Sequence, residues 1–159
     1  MRREFGKVIA ELVKKDNKVY LLDLDFGNVF PDLDKEDPEH HIKLGVTEQA
    51  AIGIASGMAL EGLKPYVFAI TPFLLERPFE QIKLDVVQQK ANVKLISYWD
   101  YPTLGPTHKA IDVKKECEIL GIKLIEPKDS KETREKILES NEIDEPVFFY
   151  LTKDVAIPR

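Results

Sequence analysis

Residues 45–62 read GVTEQAAIGIASGMALEG, and their centre, Gln49 to Leu60, is the longest run of the chain without a charged side chain. Gln49 and Ser56 are its only polar side chains. The length and the small residues suit a helix, although Gly53 and Gly57 each cost about 1 kcal/mol relative to alanine. A helix that is apolar all round is buried all round. In a chain of 159 residues that requires a sheet against one face and another subunit against the other, so this segment predicts self-association. Thr47 is placed to cap the helix, and Glu48 opens it where a carboxylate complements the helix dipole.

Upstream, Phe5, Val8, Ile9 and Leu12 recur at the helical period and predict an amphipathic helix over Arg2 to Lys15. Val19 to Leu22 is a short apolar strand that stops at Asp23-Leu24-Asp25. Phe26 to Glu39, with Gly27, Pro31 and Pro38, reads as loop, and Ile42 and Leu44 form a second apolar pulse. Downstream, Tyr66 to Ile70 predicts a strand, Pro78 to Lys90 a helix with proline in its first turn, and Val93 to Trp99 a strand. Tyr101 to Thr107 is a Pro/Gly-rich loop, followed by a helix over Ala110 to Leu120 and a strand over Lys123 to Ile125. Asp129-Ser130-Lys131-Glu132 has capping-box spacing before a helix ending near Ser140, and Pro146 to Leu151 closes as a strand. Strands alternating with helices predict an α/β fold. The expectation is a single doubly wound domain over 1–159, its mostly parallel sheet flanked by helices on both faces.

Hydrophobic residues at 43% and charged residues at 32% describe a globular domain, not a disordered tail. No apolar run reaches the roughly 18–20 residues of a membrane span, and Glu4 and Lys7 interrupt any signal-peptide core after Met1-Arg2-Arg3. The single cysteine, Cys117, excludes an internal disulfide framework and predicts a reducing, cytoplasmic setting. With 28 acidic against 23 basic residues the net charge is −5, which argues against a general nucleic-acid binder.

Ligands of parallel α/β sheets bind beyond the carboxyl ends of the strands. That rule selects Asp23 to Asp25, Gly45 to Glu48, Ile70 to Phe73 and Tyr98 to His108. Glu48 enters a segment without nearby charge, so its carboxylate must find a partner or take up a proton, which is also how a catalytic carboxylate is tuned. His108 lies on a strand-terminal loop, where a solvated or turn role competes with a chemical one. Asp23 and Asp25 suit a paired-carboxylate site or a turn. His40 and His41 have no metal-site spacing without further ligands, and Cys117 reads as a packing residue. No GxGxxG phosphate loop is present, because Gly53 and Gly57 fall inside a helix.

Residues 45–62, then Lys64-Pro65-Tyr66, then Pro78-Phe79-Glu80-Gln81-Ile82, resemble the pyrimidine-binding domain of transketolase-like thiamine-diphosphate enzymes. That group includes transketolases, deoxyxylulose-phosphate synthases and the β subunits of pyruvate-dehydrogenase-type enzymes. Gly105-Pro106-Thr107-His108 is similar to a family Gly-Pro-Thr-His, and the likeness runs from about Arg3 to Leu151. The resemblance implies the thiamine-diphosphate-binding fold. It implies that Glu48 hydrogen-bonds N1′ of the aminopyrimidine and favours the imino tautomer, whose N4′ removes the thiazolium C2 proton. It gives Phe73 a stacking role on the pyrimidine and His108 a substrate-site role. Ile70 stands where some members carry a second aromatic, and Tyr101 to Leu104 departs from the acidic residues that precede Thr-His in family transketolases.

The family's diphosphate-binding domain, with its Gly-Asp-Gly metal motif, and the usual C-terminal domain have no counterpart in these 159 residues. The resemblance therefore implies a pyrimidine-binding subunit of a split enzyme, a transferase inactive without its partner chain. Thiamine diphosphate and Mg²⁺ would be held with a separate diphosphate-binding transketolase-like subunit. A homodimer or heterotetramer, a small-molecule sugar substrate and ketol transfer or related C–C chemistry complete the expectation. The contrasting expectation is a non-catalytic regulatory or scaffolding partner of such an enzyme.

Overall fold

The computed structural model describes residues 1–24 and 29–153. Among them the elements run α1 (Arg2–Lys15), β1 (Val19–Asp23), α2 (Pro31–Glu36), β2 (His41–Lys43), α3 (Glu48–Leu60), β3 (Lys64–Ile70) and α4 (Thr71–Leu75). A short α5 (Phe79–Gln81) leads into a π-helical turn over Ile82–Val87, and β4 (Lys94–Tyr98), α6 (Val113–Leu120), β5 (Lys123–Ile125), α7 (Ser130–Asn141) and β6 (Val147–Leu151) follow. The strands form one sheet in the order β2-β1-β3-β4-β6-β5, and every pairing is parallel. This is the doubly wound α/β fold that the alternation predicts.

Two apolar layers sandwich the sheet because strand side chains alternate between its faces. Tyr66 and Phe68 of β3 point to the layer of α1 and α7, where Phe5, Val8, Ile9 and Ile137 are wholly buried. Val67 and Ala69 point the other way, onto Ala51, Ile52 and Ala55 of α3 and Leu74, Leu75, Ile82 and Val86. Phe5 stacks on Phe68 at 5.9 Å and meets Phe30 edge-on at 5.6 Å, which fixes α1 across the sheet.

Three stretches differ from the sequence expectation. The proline-marked region before His41 is not all loop: Pro31 starts α2, and Leu33 is buried against α1's layer. Proline at a first helical position marks a start as readily as a break. The expected helix from Pro78 to Lys90 is α5 followed by the π-helical turn, in which the Asp85 carbonyl accepts the Ser56 hydroxyl at 2.6 Å. Thr47 occupies the N-cap position of α3 without capping it, because its hydroxyl donates backwards to the Leu44 carbonyl at 3.1 Å. Asp129, by contrast, caps α7 by accepting from the Glu132 backbone N–H at 2.8 Å.

Helix α6 carries Cys117, buried to 1% exposure, whose thiol burial pushes up to about 12. Its neighbour Glu116 is raised from 4.5 to about 7 by burial first, then by Glu76 and Asp112. The unfolded chain therefore releases this proton at lower pH than the folded chain does. Stability attributable to Glu116 falls as pH rises from 4.5 to about 7 and is flat above that. Glu116→Gln is expected to flatten this part of the profile, read as the urea midpoint at intervals between these limits. A slope identical to that of the parent chain would contradict the assignment.

Candidate active site

The chain leaves β2 through Leu44 and turns at Gly45, whose φ of 62° lies in the left-handed region that glycine enters freely. That turn delivers Glu48 to the start of α3, at 6% exposure. From the neighbouring strand, β3 passes directly into α4 at Thr71, with Pro72 in the first turn. Thr71 is fixed twice: its N–H donates to the Trp99 carbonyl at 3.0 Å, and its hydroxyl donates to Ser97 Oγ at 3.3 Å. Ser97 in turn donates to the Phe149 carbonyl at 2.8 Å, so α4 is anchored through β4 to β6. Phe73 projects from this anchored turn. The loop beyond β4 folds back on itself, with the Tyr101 N–H donating to the His108 carbonyl at 2.7 Å.

These segments surround a cavity of about 960 Å³ beyond the carboxyl ends of β1 and β3. Leu24, Ala69 and Ile70 supply strand ends, Phe73, Tyr101, Leu104 and His108 supply an aromatic and apolar wall, and Arg2, Arg3 and Lys7 of α1 make one side basic. Phe73 and His108 meet edge to face, with ring centres 4.9 Å apart. The carboxylate of Glu48 finds the partner its burial demands: Arg77 Nη1 donates to Glu48 Oε1 at 2.6 Å. The same guanidinium lies over the Phe73 ring, 3.4 Å from its centre.

Glu48, Phe73 and His108 are thus brought together, with Arg77 linking the first two. Arg77 is the residue that sequence reasoning missed. Its signal was available as a lone cation in Leu74-Leu75-Glu76-Arg77-Pro78, between buried positions, but its partner lies 29 residues away. Other candidates are drawn elsewhere. Asp23 accepts from buried His41 Nε2 at 3.1 Å, His41 Nδ1 faces Asp34 at 2.8 Å, and His40 pairs with Asp37 at 2.6 Å. Asp25 lies outside the described residues. Cys117 sits in the core under α3's side of the sheet.

An aminopyrimidine needs a flat aromatic surface, a carboxylate in reach of a ring nitrogen and apolar walls. Phe73 and the cavity's apolar lining offer the first and the last, and the Glu48 carboxylate is joined to the cavity through Arg77, which lines it. Among the described residues no helix is long and apolar enough to cross a membrane.

Comparison with known proteins agrees with the fold. A chain of a split-gene transketolase, described as an inactive β4 tetramer, superposes with a TM-score of 0.87 at 27% identity, over 99% of this chain and 52% of that one. One of the subunits of the apulose-4-phosphate transketolase of Phocaeicola vulgatus is 30% identical over 163 residues, 99% of this chain and 52% of its own. A 6-deoxy-6-sulfo-D-fructose transketolase subunit from a Clostridium species is 28% identical, over 99% of this chain and 51% of its own. The chain spans about half the length of these two curated relatives. The family profile described as "Transketolase, pyrimidine binding domain" matches residues 1–156, nearly the whole chain, and the chain belongs to that family.

Proposed function

We infer that this chain supplies the pyrimidine-binding half of a thiamine-diphosphate-dependent, transketolase-type transferase. The observation that carries the reading is the meeting of three separate segments at one strand-end cavity: Phe73, Arg77 and His108 line it, and Arg77 ties the buried Glu48 carboxylate to them. Phe73 would hold the aminopyrimidine by its ring face, and Glu48 would exchange a proton with its N1′. Bound thiamine diphosphate supplies the chemistry that carries a ketol unit. Phe73 and Ile70 exclude water from the pyrimidine's surroundings, and His108 faces the space where a sugar-type substrate enters. The diphosphate and Mg²⁺ are assigned to a complementary chain. A phosphorylated ketose donor and an aldose acceptor, incubated with this chain, the complementary chain and the cofactor, are expected to give ketol transfer only when both chains are present. Transfer by either chain alone would overturn the division of labour.

Helix α3 has a second part in the proposal. Its inner face is buried, but Gly53, Ile54, Gly57 and Leu60 lie on a face open to solvent, with Ile54 44% and Leu60 58% exposed. A Cβ built on Gly53 or Gly57 meets nothing within 4 Å, so this chain alone does not explain either glycine. A flat apolar face of this kind suits a neighbouring helix at close approach, and a two-fold pairing of two copies is the simplest closure. That the similar split-gene transketolase chain is described as a β4 tetramer supports self-association, though not a particular face. Gly53→Leu is expected to leave the monomer fold intact, since the site is open, and to shift a dimer toward monomer in sedimentation. A parent chain that stays monomeric at high micromolar concentration would refute the pairing.

A further inference from the structure

We propose that Arg77 occupies the pyrimidine position of the unloaded chain and must swing out before a cofactor can bind. This rests on the reading of Glu48 and Phe73 as a pyrimidine site. A guanidinium is planar, delocalised and rich in N–H donors. Here it makes both contacts that the reading assigns to the pyrimidine, lying 3.4 Å from the centre of the Phe73 ring and donating to Glu48 Oε1 at 2.6 Å. It is a chemical stand-in for a protonated nitrogen heterocycle, supplied by the chain itself. A group that must lie on Phe73 while reaching Glu48 shares the guanidinium's place.

The physical need is plain. A carboxylate at 7% side-chain exposure is costly without a partner. Arg77 meets that need when nothing else is bound, and its own side chain, 35% exposed, has room to leave. Arg77 would then stabilise the empty chain and oppose ligand entry. A purely structural ion pair would do the first without the second.

The test uses the intact chain and a 4-amino-2-methylpyrimidine bearing a 5-hydroxymethyl group, the ring half of thiamine, followed by NMR titration. In the free parent chain the Arg77 guanidinium ¹⁵N and ¹H signals are expected to carry the upfield ring-current shift of a group over Phe73, and to lose it as the fragment saturates. Arg77→Met is expected to lower the melting temperature of the free chain yet bind the fragment about tenfold more tightly, because a charge-assisted hydrogen bond no longer competes. Arg77→Lys, which keeps a cation for Glu48 without the planar stack, is expected to fold normally and bind with intermediate affinity. Weaker or unchanged fragment binding by both variants, or a guanidinium shift that persists at saturation, overturns the proposal. Phe73→Ala separates the two readings. If it weakens fragment binding while Arg77→Met does not strengthen it, the pyrimidine site stands and the gate fails. Fragment binding indifferent to Phe73→Ala removes the site and the gate with it.

Discussion

Glu48→Gln is expected to slow exchange of the C2 proton of bound thiamine diphosphate, and turnover with it, by about 10²–10⁴-fold in the reconstituted enzyme. Glutamine keeps the size and hydrogen-bonding capacity of the side chain but cannot exchange a proton with N1′. The substitution therefore separates two roles that the position of Glu48 at the start of α3 combines. As a charge near a helix N-terminus, Glu48 contributes roughly 0.3–1 kcal/mol to stability. As the proposed proton-exchange partner of N1′, it would act on the rate, through an interaction that strengthens while the reaction proceeds. Circular dichroism should show the fold unchanged while proton exchange, followed by NMR in deuterated solvent, collapses. Should exchange and turnover both persist, Glu48 is a helix-end charge and the chain is a scaffold for an enzyme whose chemistry lies elsewhere.

The second large effect is on binding. Calorimetric titration of the isolated chain with thiamine diphosphate and Mg²⁺ is expected to give no tight saturable binding, and addition of the complementary chain is expected to create it. The site offers the aromatic face of Phe73 and the buried carboxylate of Glu48, but among the described residues no group of three or more His, Cys, Asp or Glu side chains is arranged to hold a metal ion. A Mg²⁺–diphosphate unit requires several oxygen ligands near ideal octahedral positions. Tight, Mg²⁺-dependent binding by this chain alone would show that it carries a complete site and would end the two-chain reading.

The parts of the fold that were legible in the sequence are those decided by local physics. The apolar period of Phe5, Val8, Ile9 and Leu12 marks α1 over its full length, and the Asp129 cap marks the start of α7. The parts that were not legible depend on neighbours distant in sequence. Helix α2 forms where two prolines suggest loop, because Leu33 has a core to enter. The π-helical turn keeps Ile82 and Val86 both buried against the sheet, a requirement that no propensity records. Thr47 has the right chemistry for a cap, yet Leu44 offers its hydroxyl a nearer acceptor. At the site, Glu48, Phe73 and His108 stood out through the family resemblance. Arg77 stood out only as a lone cation, and its partner was not legible because an ion pair has no sequence period: the two halves meet only when the fold brings the start of α3 beside the turn after α4.

One consequence follows from the bond between Ser56 and the Asp85 carbonyl. It joins the middle of α3 to the π-helical turn beyond α5, while Gln49 at the head of α3 reaches the Arg77 carbonyl at 3.4 Å. The helix that carries the open glycine face, its terminal carboxylate and the stretch bearing the guanidinium are thereby riveted into a single lever. In the proposed pairing, a second copy packed along that face would bear on the same helix that begins at Glu48. Dilution should then do more than dissociate the assembly: specific activity is expected to fall with protein concentration along the same curve as the oligomer itself.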